Sequence, residues 1–285
     1  MKNTGEWNGF RYAMCNESMQ DLSFDDQCRV ISDAGYQAIE IAPFTLVKKG
    51  VGDILTSQRK QMLATIRSHG LVCNGLHWLF TPPPHGLHFT TPDATQRDQA
   101  VAYLHDLIDF CGDLEGEVMI FGSPQQRSTA GISVSEAKNY FAEGLARVAD
   151  HARDRNVMVL VEHLDHSQSD VVNTLAEARE LVNAVGHPAL RMMFDFHNTA
   201  DETEPLASLI RQFYDGIEHV HVQEMDGRHL GTGRSATDFV DAFQMLKDLG
   251  YNRWVSLEVF DFSPGGANIA KVSMQVLKEI ESKLN

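Results

Sequence analysis

The 285-residue sequence predicts an α/β fold, a (β/α)8 barrel forming a single domain over residues 1–285. Three observations predict it. Eight short runs rich in β-branched and aliphatic residues alternate with eight longer amphipathic stretches, the rhythm of parallel strands joined by crossover helices. The length suits one barrel, for which about 250 residues is typical. The first strand-to-helix turn, Met14-Cys15-Asn16-Glu17, contains no glycine. An open doubly wound sheet, the competing arrangement, would normally carry a glycine-rich phosphate loop there.

Periodicity places strands at Phe10–Asn16, Ala38–Pro43, Val72–Phe80, Glu117–Phe121, Val157–Glu162, Leu190–Asp195, Glu218–Val222 and Trp254–Phe260. Helices are expected at Ser23–Gly35, Ser57–Gly70, Ala94–Leu114, Ser133–Arg155, Thr174–Gly186, Pro205–Tyr214, Ala236–Gly250 and Ala267–Leu284. Ser23 is a plausible N-cap, with Asp25 and Asp26 in the first turn where the helix dipole favours anions. Ser133 and Glu136 read as a capping box, and Gly70 as a helix stop. The one irregular connection is Thr81-Pro82-Pro83-Pro84-His85-Gly86, which cannot continue a helix or a central strand. On the catalytic face it is either a rigid wall over the pocket or a plain surface loop.

Composition narrows the function classes. The chain is 43% hydrophobic and 22% charged, the balance of a globular domain with an ample core. A net charge of −15 and the lack of any Lys/Arg cluster argue against a nucleic-acid partner. No apolar run reaches the roughly 20 residues of a membrane span, and residues 1–10 lack the apolar core of a signal peptide. Cys15, Cys28, Cys73 and Cys111 are scattered without a CxxC pair, which fits reduced thiols and a cytoplasmic location.

Barrel active sites form where strands end, at the carboxyl face. Each of the last four strands ends on a metal-capable residue: Val161-Glu162, Phe194-Asp195, Val220-His221 and Leu257-Glu258. A single carboxylate at a strand end is usually a loop cap or an ion-pair partner. Three buried together with one imidazole call for a compensating cation, because a buried unpaired carboxylate is strongly disfavoured. Oxygen-rich ligation with one imidazole suits Mn²⁺, Mg²⁺ or Co²⁺, with Zn²⁺ as an alternative.

Beyond the quartet, the chain carries Asn173-Thr174-Leu175-Ala176-Glu177-Ala178, Phe194-Asp195-Phe196-His197-Asn198, His219-Val220-His221-Val222-Gln223-Glu224, Gly231-Thr232-Gly233 and Gly250-Tyr251. In these motifs it resembles the sugar phosphate isomerase/epimerase group of xylose-isomerase-like TIM barrels, which includes D-tagatose and D-psicose 3-epimerases and hydroxypyruvate isomerase. The resemblance implies that Glu162, Asp195, His221 and Glu258, spaced 33, 26 and 37 residues apart, hold one divalent metal ion. It also implies that Glu162 and Glu258 are catalytic, one removing the proton beside a ketose carbonyl and the other returning one to the opposite face. The chemistry demands both parts: Lewis-acid stabilisation of the enediolate and positioned acid–base groups. Proton movement between adjacent carbons on one face would instead give aldose–ketose isomerisation.

The same resemblance implies substrate contacts. The family's Asp-x-x-His reads Asp195-Phe196-His197-Asn198 here, so either His197 or Asn198 takes the histidine's place. Gln168 stands where the epimerases have a glutamate, and Arg228 lies one residue from the family's substrate arginine. His77 and Glu40 point inward by strand alternation and either line the pocket or sit as satisfied core groups, while Trp78 and Phe80 would face away if the strand stays regular. That leaves a pocket with few aromatic rings. Arg127 and Arg234 are isolated arginines that bind an anion or nothing. Family members form dimers or tetramers, which implies a homodimer or homotetramer.

Three rivals remain from the residues. An inosose-type dehydratase would use the same metal, base and acid to expel a hydroxyl. An apurinic endonuclease would need a three-zinc cluster with histidines on strands three and four, and strand four, Val118-Met119-Ile120-Phe121-Gly122, has none. A non-enzymatic sugar-binding barrel would have no need of paired glutamates.

Overall fold

Eight strands hydrogen-bond in chain order, and the first pairs with the last, so the parallel sheet closes on itself. They are Arg11–Cys15 (β1), Ala38–Ile41 (β2), Val72–Leu76 (β3), Val118–Phe121 (β4), Met158–Val161 (β5), Leu190–Asp195 (β6), Ile217–Val222 (β7) and Trp254–Leu257 (β8). Around them lie Phe24–Ala34 (α1), Thr56–Ser68 (α2), Ala94–Asp113 (α3), Val134–Asp154 (α4), Leu175–Val185 (α5), Leu206–Phe213 (α6), Ser235–Asp238 (α7), Val240–Asp248 (α8) and Gly266–Ser282 (α9). This computed structural model describes residues 8–285, so most of the polar stretch over 1–10 lies outside the described residues.

The helix signals act where expected. Ser23 Oγ accepts from the Asp26 N–H, Ser133 and Glu136 cap each other reciprocally, and Gly35 ends α1 in the left-handed region at φ 98°. The expectation that differs most is the helix over Ala236–Gly250. It is two helices, α7 and α8, meeting at Phe239, whose buried ring packs 4.5 Å from that of Phe196. The third strand also stops earlier than expected, at Leu76, and Trp78 adopts a left-handed φ of 49°. Alternation therefore fails for the residues just beyond it.

The large core lies between the outward faces of the strands and the helices. Inside the barrel, apolar packing is confined to two small groups: Val118, Ile120, Leu160 and Met193, and Ala13, Ala38 and Trp254. Polar Glu40, Asn74, His219 and Ser256 are fully buried on inward strand positions. Interior polar groups are tolerated only when they find partners, so this belt is where the barrel interior becomes a site. The four cysteines are buried and free of disulfides. No helix among the described residues is long and apolar enough to cross a membrane.

Gly75 is required by close approach rather than by its dihedral. A Cβ there would collide with the Val118 carbonyl oxygen, and β3 meets β4 through only two register pairs, Gly75 with Val118 and Leu76 with Met119. Gly75→Ala is expected to destabilise the barrel by about 1–3 kcal/mol, read as a lower urea midpoint with an unchanged slope. An unshifted midpoint would mean that β3 and β4 can part at little cost.

Candidate metal centre and active site

The carboxyl ends of β5 to β8 bring Glu162, Asp195, His221 and Glu258 together. Each offers a ligand atom within 4.8 Å of the others, and all four are buried. Asp195 and His221 are the last inward residues of β6 and β7, whereas Glu162 and Glu258 stand one residue past β5 and β8. That offset matters. Glu162 and Glu258 line a cavity of about 390 Å³, whose wall includes neither Asp195 nor His221.

Partners fix each group. His221 Nδ1 lies 3.1 Å from Glu258 Oε2 and 3.7 Å from Asp195 Oδ2. Asp195 accepts from Gln223 Nε2 at 3.2 Å to both oxygens and from the Asn198 backbone N–H at 3.1 Å. Glu162 Oε1 accepts from Asn198 Nδ2 at 3.1 Å. Its Oε2 fills space that Gly122 leaves open, where a Cβ would collide with it. Arg127, fully buried, sends its guanidinium to the carbonyls of Phe121, Glu162 and Val172. It braces the end of β5 rather than binding an anion, and burial pushes it down to about 10. Arg234 is exposed and pairs with Asp238.

The electrostatics show a deficit of positive charge. Burial, then the charges of Glu258 and Asp195, pushes Glu162 well above the usual carboxylate range. Burial and Glu258 likewise raise Asp195. Burial would also raise Glu258, but His221 outweighs it and holds Glu258 low. Burial disfavours charge on His221, yet Glu258 and Glu40 hold it well above its ordinary value. Three carboxylates of the quartet thus share one imidazole, and the excess of negative charge falls on Glu162. A divalent cation would remove that deficit, and the oxygen-rich donor set fits a hard ion.

Glu40, read from the sequence as either a pocket-lining or a satisfied core group, lies behind the cavity wall as the second of these. His221 Nε2 is 2.7 Å from Glu40 Oε1, and His219 Nε2 is 2.9 Å from Oε2. Asn74 Nδ2 and Ser256 Oγ donate to Oε2, each at 2.6 Å. Burial alone would raise Glu40, but the facing imidazoles reverse it and keep the carboxylate ionised. A histidine that ligates metal through one nitrogen is commonly aimed by a carboxylate on the other, and Glu40 would stand in that relation to His221 with a cation at the quartet. His77 is likewise behind the wall: its Nε2 lies 2.8 Å from Glu17 Oε2, and neither residue is exposed. Depth explains Glu40, which lies within β2, whereas His77 stands one residue past β3 and is taken up by Glu17 from the turn after β1.

Of the two candidates after β6, Asn198 lines the cavity. His197 turns to the Met225 carbonyl at 2.8 Å and against the Phe260 ring. The chain leaves the strand at Asp195 and enters a 3-10 turn, so two-residue alternation no longer applies. Gln168 lines the cavity and donates to Asn198 Oδ1 at 2.6 Å. Arg228 is half-exposed, pairs with Asp226 at 2.7 Å and is not part of the cavity wall. Thr81 and Pro82 are part of it, so the proline loop does form a wall.

Sequence reasoning missed two features. Trp78 and Phe260 line the cavity, correcting the expectation of a pocket poor in aromatic rings. Glu17, buried beside His77, also donates no visible sequence signal, because it follows β1 on a turn rather than ending a strand.

A group whose pKa is raised by folding stabilises the protein fully at low pH, and that contribution is lost as pH rises through its folded value. Glu162, Asp195 and His221 share this sign. Chelator-treated protein should therefore lose thermal stability as pH rises above the ordinary carboxylate range, and the gain in Tm on adding Mn²⁺ should widen with pH. A gain independent of pH would speak against a cation at the quartet. Glu40→Gln, which keeps the volume but not the charge, should weaken Mn²⁺ binding about 10- to 100-fold by calorimetry. Unchanged affinity would show that Glu40 does not aim His221.

Known proteins complete the picture. The sequence model of the family described as xylose isomerase-like TIM barrel matches residues 28–280. A ketose 3-epimerase from Arthrobacter globiformis is 27% identical over 177 residues, covering 61% of this chain and 58% of that protein. A probable ketose 3-epimerase from Synechocystis sp. is 28% identical over 193 residues, covering 64% and 63% respectively. The chain thus spans less than two thirds of the length of these curated relatives. The solved D-psicose 3-epimerase with D-tagatose from Clostridium cellulolyticum H10 superposes with a TM-score of 0.81 at 19% identity, covering 97% of this chain and all of that one, which speaks for the fold. With the family match extending over most of its length, the chain belongs to the xylose isomerase-like TIM barrels.

Proposed function

We propose that the protein is a divalent-metal-dependent isomerase or epimerase of a small carbohydrate, exchanging a proton on the carbon beside a carbonyl. The observation that carries this reading is the division within the quartet. Glu162 and Glu258 face the cavity, while Asp195 and His221 lie beneath them as purely internal donors. Two carboxylates on one substrate space suit removal and return of a proton, and each needs the other's protonation state to differ.

Glu162, Asp195, His221 and Glu258 would hold the ion: Mn²⁺, Mg²⁺ or Co²⁺, with Zn²⁺ as an alternative. The ion supplies Lewis-acid stabilisation of the negative charge that develops next to the carbonyl. The chain's own groups do the rest. Asn198 and Gln168 offer amides to substrate hydroxyls, and Trp78 and Phe260 exclude water from one side. The cavity, about 390 Å³, suits a small sugar. The relatives named as ketose 3-epimerases support a ketose. A cytoplasmic homodimer or homotetramer is the expected setting. A three-zinc nuclease centre has little support, because β4 brings only Val118 and Ile120 inward and His77 is engaged by Glu17.

Proton NMR in D₂O with metal-loaded protein and a set of ketoses and ketose phosphates tests the reading. Deuterium should enter at the carbon beside the carbonyl as epimer or isomer appears. Glu258→Gln should slow that exchange by about 100- to 10,000-fold with the fold intact. Exchange at the wild-type rate in this variant would sink the two-glutamate mechanism. Loss of water from keto-inositols without any epimer would reassign the site to a dehydratase.

A further inference from the structure

Trp78 sits two residues past β3 at φ 49°, a left-handed conformation uncommon for a bulky side chain. Such backbones persist where their surroundings over-determine them, and they concentrate at functional sites. Here the surroundings are aromatic. The ring of Phe44 lies 5.6 Å from the indole at 18°, that of Phe260 6.0 Å away at 10°, and that of Phe262 6.4 Å away at 40°. Two near-parallel neighbours set the plane of the indole and leave its polar edge as the feature that meets the site. That edge reaches from the β3 loop to the end of β8, where Nε1 donates to Glu258 Oε1 at 2.6 Å.

An indole has one N–H and no acceptor, so it can hold only one oxygen of the carboxylate. The other, Oε2, lies 3.1 Å from His221 Nδ1. The carboxylate is therefore anchored at both ends, one oxygen on the cavity wall and one toward the quartet. Phe260 joins the two roles, since it stacks on Trp78 and follows Glu258 by two residues.

We propose that Trp78 is a positioning residue for Glu258: its indole N–H holds Oε1 so that Oε2 is presented to His221 and the cation site. Without that donor only His221 holds the carboxylate, and both ligation and proton transfer lose part of their geometry. The catalytic consequence rests on the function proposed above, whereas the indole–carboxylate contact stands independently of it.

Trp78→Phe separates the donor from the packing, because phenylalanine keeps a ring among Phe44, Phe260 and Phe262 but lacks the N–H. Calorimetry with Mn²⁺ should show affinity about 10- to 100-fold weaker than wild type, with a cooperative thermal transition retained. In the Glu258→Ala background the same change should add no further loss, since no carboxylate remains to be held. With a ketose that turns over, the loss should fall on kcat rather than KM, as expected for a group that acts through a proton-transfer residue. A readout without metal or substrate is the indole ¹⁵N–H resonance missing from the Trp78→Phe spectrum. In Glu258→Ala it should shift and exchange faster with water. Wild-type Mn²⁺ affinity in Trp78→Phe, or an undisturbed indole resonance in Glu258→Ala, would overturn the proposal. A wild-type protein that binds none of Mn²⁺, Mg²⁺, Co²⁺ and Zn²⁺ would overturn the proposed function instead, and the resonance would still decide the contact.

Discussion

The bond between His221 and Glu40 constrains everything around it. A barrel of eight short strands must fill its own interior, and here the upper interior is filled with charge rather than with branched aliphatic side chains. An ionised carboxylate with no exposure survives there because donors from β3, β7 and β8 converge on it. Together with β2, which carries Glu40, four strands therefore meet on one side chain. The same contact fixes the ring of His221, which leaves Nδ1 facing Asp195 and Glu258. Packing and site geometry are thus one problem in this molecule.

Above that layer the balance reverses. Glu40 has enough positive partners, but the quartet has too few, and the excess appears at Glu162. The strand ends impose this arrangement: four consecutive strands deliver four ligand-capable groups to one point, and close packing leaves no room for them to separate. Gly122 shows how tight the fit is, since even a methyl group there would strike Glu162. A cation held there would relieve the repulsion among the buried carboxylates.

The mouth of the cavity follows different rules from the barrel beneath it. Once the ladder ends, loops position the side chains, and they do so with rings. Phe44, Trp78, Phe260 and Phe262 come from loops after three different strands, yet they form one stack. Trp78 and Phe260 of this group line the cavity, and the indole N–H of Trp78 reaches Glu258, so the apolar wall and the carboxylate are mechanically joined.

The sequence by itself determined the barrel and the quartet. Strand and helix periodicity depends on neighbours a few residues apart, and Glu162, Asp195, His221 and Glu258 each sit at the end of such a period. Caps at Ser23 and Ser133 were legible for the same reason. The tertiary structure alone decided what lies beyond the strand ends. Glu40 shares an inward face with pocket residues, but its depth along the barrel depends on the stagger between strands, which no local pattern encodes; His77 lies past the end of β3 and is engaged by Glu17 from another loop. Trp78 was read as facing away because alternation assumes an unbroken strand, and the left-handed turn at that residue is stabilised by rings from distant loops. Asn198 likewise replaces His197 at the cavity because the chain turns at Asp195. Local periodicity reports where side chains point within an element; where elements end and what then meets across the barrel is set by contacts between residues far apart in the chain.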